Sequence, residues 1–301
     1  MQGSFSSMYE TVELERRGAG AIIRLNRPDA LNAWNHRLGI ELLDAVRSVA
    51  DDDAVRAVCV TGSGRAFSSG ADLRDLTARG LTADGQIDVE TTLKTVYHPI
   101  LTTLRRMPKP VVAAINGPAV GIGCSLALTC DLLVAAESAY MLLAFVNIGL
   151  VPDGGALALL AARVGAGRAM RMAVLGERIP ASDLRRWGLV DDVMPDHEFE
   201  EFALTMLDRL AAGPTRSYAG SKRQLNAWMY ADLDAQLELE ASIQQEMAQS
   251  ADFREGVAAF LEKRPPGFCG GRWRHGGYPC PPTAPLRLPR DVWRSRSPPH
   301  E

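Results

Sequence analysis

Two glycine-rich segments most constrain how this 301-residue chain can fold. The first glycine segment is AFSSGADL at residues 66–73, and the second is NGPAVGIGCSLALTCD at residues 116–131. Each follows a short β-branched run and precedes helix-like sequence, a junction at which glycine permits a sharp turn. Backbone N–H groups in such turns can point at a ligand oxygen that becomes negative during reaction. The two segments therefore predict a pair of anion-holding turns rather than a nucleophile.

The order of periodic segments predicts an α/β fold class with a helical second half. Strand-like runs at 21–26, 57–61, 111–115, 132–136 and 140–144 alternate with helix-like runs at 34–49, 93–106 and 121–129. From residue 156 onward nearly every segment has helical periodicity. The helical runs are 156–164, 169–175, 181–187, 198–211, 214–230, 233–249 and 252–263. This arrangement favours an α/β core followed by helices.

Composition narrows the class of protein. At 47% hydrophobic and 23% charged residues, the chain can bury a full globular core. The longest apolar runs are far too short to cross a bilayer and no secretory leader opens the sequence, so we expect a cytoplasmic protein without a membrane partner. The five cysteines form no CxxC pair and have no histidine at metal-ligand spacing. Neither a metal site nor a disulfide framework is therefore predicted.

Charge is distributed unevenly along the chain. From Lys263 onward there are eight basic and two acidic residues, which leaves residues 1–262 with a net charge of −9. This acidity argues against a nucleic-acid partner. Residues 267–301 are rich in Pro, Gly and Arg and lack hydrophobic periodicity, which predicts a disordered basic tail, with a basic interaction arm as the alternative. Residues 1–7 are predicted to be a dispensable N-terminal extension.

Four motifs together resemble one protein family. LNRPDALNAW at 25–34 (the N-terminal motif), the two glycine segments and GLVPDGG at 149–155 occur in the order found in the enoyl-CoA hydratase/isomerase, or crotonase, superfamily. The resemblance extends over residues 8–266. It implies a crotonase-like spiral of ββα repeats at 8–195, containing the CoA site and active site, and a C-terminal helical trimerisation region at 196–266. It also implies an acyl-CoA substrate, a homotrimer or hexamer, and no cofactor apart from the coenzyme A carried by the substrate.

The resemblance assigns two backbone donors to the thioester oxygen, those of Ala71 and Ile122. Elementary physics supports Ile122, because it would begin the helix of the second glycine segment, where unpaired N–H groups and the helix dipole favour an anion. Gly121 and Gly123 would leave the backbone approachable. For each GxG sequence taken alone, a tight turn without a ligand is the alternative.

The resemblance also implies a set of CoA and substrate contacts. The N-terminal motif would contribute its Arg and following residues, the first glycine segment the residues around Ala71, and a neighbouring protomer an aromatic and a basic residue near the end of the domain. These residues are Arg27, Ala30, Leu31, Ser69, Gly70, Asp72, Leu73, Phe260 and Lys263. An ordinary solvated charge is the alternative for Arg27 and Lys263, and Arg74 is a weaker candidate.

The positions of the two hydratase glutamates are occupied by Ser125 and Phe145, according to the same resemblance. Both carboxylates are absent, so we do not expect hydration by the two-glutamate route. Ser125 could hydrogen-bond a water or be a small polar helix residue. Phe145 could shape an apolar wall of the pocket.

Asp153, in the GLVPDGG motif, is the predicted base. In the family members that move double bonds, an acidic residue at this turn removes a proton from the α carbon and returns it at the γ carbon. Asp before Gly-Gly and a helix is also a good N-cap, which is the structural alternative. Double-bond isomerisation is thus the predicted activity. The alternatives are hydration or another crotonase reaction with a nonstandard base, and a catalytically silent acyl-CoA-binding subunit.

Overall fold

The structure is a computed structural model that describes residues 9–75, 80–83, 85 and 87–270. The predicted N-terminal extension lies outside the described residues, and so do residues 271–301 of the predicted tail. None of the helices in the described ranges has both the length and the apolar character that a bilayer span requires.

A six-stranded sheet forms the centre of the fold. The strands of this sheet and of a second, smaller sheet are, in chain order, β1 (Val12–Arg17), β2 (Gly20–Leu25), β3 (Ala57–Gly62), β4 (Val111–Ile115), β5 (Ala119–Val120), β6 (Leu132–Ala136), β7 (Tyr140–Leu142), β8 (Ile179–Pro180) and β9 (Asp192–Met194). The large sheet has the order β1-β2-β3-β4-β6-β9, in which β1 and β2 pair antiparallel and the other pairs are parallel. Strands β3 and β4 are buried along their whole length, as expected for parallel strands covered on both faces. A smaller sheet has the order β5-β7-β8.

Helices cover both faces of the large sheet and make up most of the second half. They are α1 (His36–Asp51), α2 (Val89–Thr92), α3 (His98–Arg106), α4 (Ile122–Thr129), α5 (Ala156–Leu175), α6 (Ala181–Arg186), α7 (Asp196–Ala212), α8 (Thr215–Met229), α9 (Leu233–Ala248) and α10 (Ala251–Glu262). A π-helical turn at Leu93–Tyr97 joins α2 to α3, and a 3-10 turn occupies Ala144–Ile148. Helix α7 packs on the sheet so closely that a Cβ atom at Gly20 would lie 2.9 Å from Leu207 Cγ.

The α/β class with a helical second half is confirmed. The domain boundary at residue 195 stays a prediction, although α7, just beyond it, packs against the sheet. The predicted strand at 140–144 is too long, because β7 ends at Leu142 and a 3-10 turn begins at Ala144. The predicted start of the first helix at Trp34 is also wrong, since α1 begins at His36. The reason is that Asn35 caps the helix, its side chain accepting a hydrogen bond from Leu38 N at 2.9 Å. Trp34 instead pairs with the first glycine segment.

The cysteines differ from the sequence expectation at one position. Cys59, Cys124 and Cys130 are free and buried, and burial raises the pKa of each thiol to about 12. Cys269, however, is disulfide-bonded, and the sequence did not predict this bond. The cysteine spacing could not predict this, because pairing depends on which chain segments meet in space.

Helix α10 packs directly on the 3-10 turn that contains Phe145. A Cβ atom at Gly256 of α10 would lie 2.5 Å from Ile148 Cα, and one at Gly149 would lie 2.8 Å from Phe253 N. Distances this short cannot be accommodated by a side-chain rotation, since the atoms in the way are backbone atoms. Glycine at these positions is therefore required for α10 to lie against the turn.

Gly256→Ala should lower the free energy of unfolding by about 1–3 kcal/mol, because the added methyl overpacks a backbone contact. Gly220→Ala in α8 is the matched control, since nothing lies within 4 Å of its Cβ position. There we expect stabilisation of up to about 1 kcal/mol from helix propensity. Urea unfolding followed by circular dichroism measures both. Equal effects of the two substitutions would show that the α10 contact does not require glycine.

Candidate active site

Short backbone bridges place the first glycine segment between the N-terminal motif and the second glycine segment. Trp34 N donates to Gly70 O at 2.8 Å, and Asp72 N donates to Trp34 O at 3.0 Å. On the other side, Ser68 pairs with Ala119 of β5. Three of the four sequence motifs thus meet where β3 and β4 end.

The bridge to Trp34 determines the direction of the Ala71 backbone. Because Trp34 bonds the C=O of Gly70 and the N–H of Asp72, the intervening N–H of Ala71 points away from Trp34. Gly70 has a φ of +91°, and a Cβ atom there would lie 3.0 Å from Val120 O. Glycine is therefore needed for the two glycine segments to approach each other.

The second predicted donor, Ile122, is the first residue of α4. Its N–H is one of the first four in the helix, which have no acceptor within the helix and lie at the positive end of the dipole. Gly121, the N-cap with a φ of +55°, donates its own N–H to Leu142 O at 2.9 Å. A Cβ atom at Gly121 would lie 3.8 Å from Gly70 Cα, so the residues preceding both predicted donors are in contact.

The turn containing Asp153 packs on the same helix. A Cβ atom at Gly154, whose φ is +66°, would lie 2.8 Å from both Ile122 Cδ1 and Ser125 Cβ. Ser125, fully buried, donates its hydroxyl hydrogen bond to Asp153 O at 2.7 Å. Asp153 is itself only 6% exposed. The predicted base and the predicted donor Ile122 therefore lie on directly contacting segments.

The side chain of Asp153 does not cap α5. The N-cap of that helix is Gly155, which has no side chain that could accept a hydrogen bond from the helix. Glu240 of α9 lies at this helix start instead, accepting from Gly155 N with both carboxylate oxygens at 2.9 and 3.0 Å. Asp153 Oδ2 accepts from Gln244 Nε2 at 2.9 Å. The N-cap interpretation of Asp153 is therefore wrong.

Sequence reasoning missed Gln244 and Glu240 of α9, which contact this turn, and His98 of α3, which lies against Glu240. Gln244 is 1% exposed, and Glu240 lies one helical turn before it. His98 Nε2 of α3 lies 3.2 Å from Glu240 Oε1. One sequence signal was available, because the polar residue Gln244 interrupts an apolar stripe of Leu237, Ala241 and Ala248 at helical spacing. The structure shows that all four residues are buried.

Several predicted CoA contacts hold the N-terminal motif to the first glycine segment. Arg27 donates through Nη1 to Asp72 Oδ2 at 3.1 Å, and also bonds the carbonyl of Ala33. Ser69 N donates to Leu31 O at 2.9 Å, and its hydroxyl donates to Ala30 O at 3.3 Å. Arg27 is thus an ion-paired side chain rather than an ordinary solvated charge.

Of the other predicted contacts, Phe145, Leu73 and Gly123 pack against neighbouring segments, whereas Phe260 and Lys263 are exposed. Phe145 is buried, and its Cζ lies 3.9 Å from the Cβ position of Gly121; Leu73 packs partly on the core. Gly123 allows α4 to approach the first glycine segment, since a Cβ atom there would lie 2.8 Å from Ser68 Cβ. Phe260 is 60% exposed and Lys263, the C-cap of α10, is also exposed.

Comparison with known proteins identifies the family of this chain. The family described as "Enoyl-CoA hydratase/isomerase" matches residues 15–271. A probable enoyl-CoA hydratase of Rhodobacter capsulatus is 44% identical over 87% of the chain and 99% of that protein. The 1,2-epoxyphenylacetyl-CoA isomerase of Escherichia coli is 38% identical over 82% of the chain and 94% of its own length. The crystal structure of an enoyl-CoA hydratase from Mycobacterium avium subsp. paratuberculosis superposes with a TM-score of 0.78 at 38% identity, covering 87% and 99% of the two chains.

The chain belongs to the enoyl-CoA hydratase/isomerase family. Its structural neighbours confirm the crotonase fold, and its relatives are enzymes of that superfamily. The named relatives include both hydratases and isomerases, so family membership fixes the enzyme class and leaves the individual reaction to be argued from the site.

Ala71→Pro should lower kcat by about a hundredfold or more, because proline removes one backbone donor without changing side-chain chemistry. Ala71→Ser keeps the N–H and should retain most of the activity. Steady-state turnover of acyl-CoA substrates, with circular dichroism to verify folding, measures both. Normal turnover by a folded Ala71→Pro protein would mean that the thioester oxygen is held elsewhere.

Proposed function

We propose that this enzyme isomerises a double bond in an acyl-CoA thioester, with Asp153 as the base. The observation that carries the proposal is the position of the Asp153 turn, packed through Gly154 against Ile122 and Ser125 of α4. This position would put a carboxylate beside the backbone donors proposed for the thioester oxygen.

The proposed reaction needs one carboxylate and no net gain or loss of atoms. Asp153 takes the proton from the α carbon, and the electron pair of that C–H bond delocalises onto the thioester oxygen. The N–H groups of Ala71 and Ile122 stabilise the resulting enolate. Asp153 then returns the proton at the γ carbon, which moves the double bond from the 3,4 to the 2,3 position.

Two contacts favour isomerisation over hydration by the two-glutamate route. Ser125 uses its hydroxyl on the backbone carbonyl of Asp153, and Phe145 is a buried ring, where the hydratases of the family carry their two glutamates. Among the relatives, the 1,2-epoxyphenylacetyl-CoA isomerase of Escherichia coli is an isomerase by name. The coarser statement, an enzyme acting on an enoyl-CoA, rests on the family as a whole.

Hydration remains a second candidate because of Glu240. Its carboxylate accepts a hydrogen bond from Gly155 N in the turn that contains Asp153, and 14% of its side chain is exposed. Two carboxylates at one turn could together activate a water molecule. The named relatives also include a 2,3-dehydroadipyl-CoA hydratase that is 34% identical.

Asp153→Asn should lower isomerase turnover by about a hundredfold or more, since the amide cannot accept the proton. Acyl-CoA affinity and stability should change little, because the Asn oxygen can still accept from Gln244. The assay compares 3-enoyl-CoA and 2-enoyl-CoA panels, with Glu240→Gln alongside. If Asp153→Asn keeps near-normal isomerase activity, Asp153 is not the base. Loss of hydration in both variants would favour the second candidate, and acyl-CoA binding without turnover of any substrate by the unaltered protein would favour a silent subunit.

We also propose that the protein forms a trimer or hexamer. Large apolar side chains are exposed on α8 and on the end of α5: Leu225 (44%), Trp228 (79%), Met170 (56%) and Val174 (56%). Large apolar side chains that are exposed on a protomer can be buried when protomers associate. Sedimentation velocity at micromolar concentration should give the mass of a trimer or hexamer. A stable monomer would contradict this proposal and the predicted contact of Lys263 with a neighbouring CoA.

A further inference from the structure

We propose that Gln244 of α9 is a positioning residue for Asp153, which orients its carboxylate and lowers its affinity for a proton. This inference rests on the proposed function, in which Asp153 is the base. Gln244 lies 91 residues away in sequence and belongs to the helical second half of the chain.

The amide of Gln244 contacts the Asp153 turn twice. Its Nε2 donates to Asp153 Oδ2 at 2.9 Å, and its Oε1 accepts from Val151 N at 3.1 Å. The side chain is 1% exposed, so bulk water does not compete for these contacts. One amide therefore fixes both the backbone before Asp153 and the direction of its carboxylate.

Glu240 holds the turn on the other side of Asp153, through Gly155 N. Glu240 and Gln244 are four residues apart and thus lie on the same face of α9. The turn is therefore attached to α9 at residues 151, 153 and 155. These three attachments hold the Asp153 carboxylate in one position relative to the α and γ carbons of the substrate, as the proton transfer requires.

A hydrogen bond to the charged form of an acid favours that form. Donation from Gln244 should therefore make Asp153 easier to ionise, and loss of the donor should raise its pKa. Among the residues that the structure describes, Glu240 of α9 contacts the turn through Gly155 N, and His98 of α3 lies 3.2 Å from Glu240. Both are retained in the variants below, so a change in pH dependence reports on Gln244.

Gln245 offers a matched control on the same helix. Its Oε1 accepts from Val89 N and Glu90 N at 2.9 and 3.1 Å, and its Nε2 donates to Ile87 O at 3.0 Å. The residue is thus an adjacent, partly buried glutamine with both ends of its amide bonded to another segment. Those bonds hold the start of α2 rather than the Asp153 turn.

The experiment compares Gln244→Met with Gln245→Met in the full-length protein. For Gln244→Met we expect kcat to fall by about tenfold to a hundredfold, the size of a lost hydrogen bond to a charged group. The acidic limb of kcat/KM should also move to higher pH, while the dissociation constant of an acyl-CoA stays within about threefold of the unaltered value. Gln245→Met should leave the pH profile unchanged. If both variants give the profile of the unaltered enzyme, or both shift it equally, the positioning role is wrong.

Gln244→Glu covers the case in which Gln244→Met does not fold. It keeps the size of the side chain and an acceptor for Val151 N, but places a second carboxylate against Asp153, which should move the acidic limb to still higher pH. A folded Gln244→Glu protein with an unshifted limb would overturn the proposal. Asp153→Asn separates the two levels of inference. Full activity of Asp153→Asn refutes the base, whereas an inactive Asp153→Asn with an unaffected Gln244→Met refutes the positioning role alone.

Discussion

The close approach of two backbone segments is the constraint on which the candidate site depends. At Gly70 a side chain would meet Val120 O at 3.0 Å, and at Gly123 it would meet Ser68 Cβ at 2.8 Å. Because β3 and β4 are adjacent parallel strands, the segments that follow them leave the sheet at the same edge. Glycine then allows the segments to touch, and this contact brings together Gly70 and Gly121, the residues that precede the proposed donors Ala71 and Ile122. The close approach of the two glycine segments is needed because both proposed donors are backbone groups, which side chains cannot bring together in its place.

The helical second half completes the site rather than only enclosing it. The turn at Asp153 rests on α4 through Gly154 and Ser125, and α9 holds its other side through Glu240 and Gln244. Asp153 is thus fixed by two helices that are far apart in sequence. Packing of the turn between α4 and α9 fixes the position of Asp153 relative to Ile122. This position is therefore less variable than that of a side chain on an unsupported loop.

The sequence predicted the parts of the site that are local. The glycine segments and the start of α4 at Ile122 could be read from spacing, because sharp turns and helix starts leave a local pattern. The helix assignment of Trp34 was wrong because apolar periodicity continued past the cap at Asn35. The partners of Asp153 could not be predicted, since Gln244 lies 91 residues away and only the packing of α9 brings the two together. The same packing explains why Glu240, and not Asp153, lies at the start of α5.

Two aspartates near the site have different partners, and the difference bears on their chemistry. Asp72 faces the guanidinium of Arg27 in an ion pair that ties two chain segments together. Asp153 accepts a hydrogen bond from the neutral amide of Gln244. A base must take up and release a proton in every turnover, and a full positive charge beside it would oppose the uptake. A neutral donor can orient the carboxylate while leaving it able to accept a proton, which is why a buried glutamine is a better partner for a proton-transferring aspartate than an arginine would be.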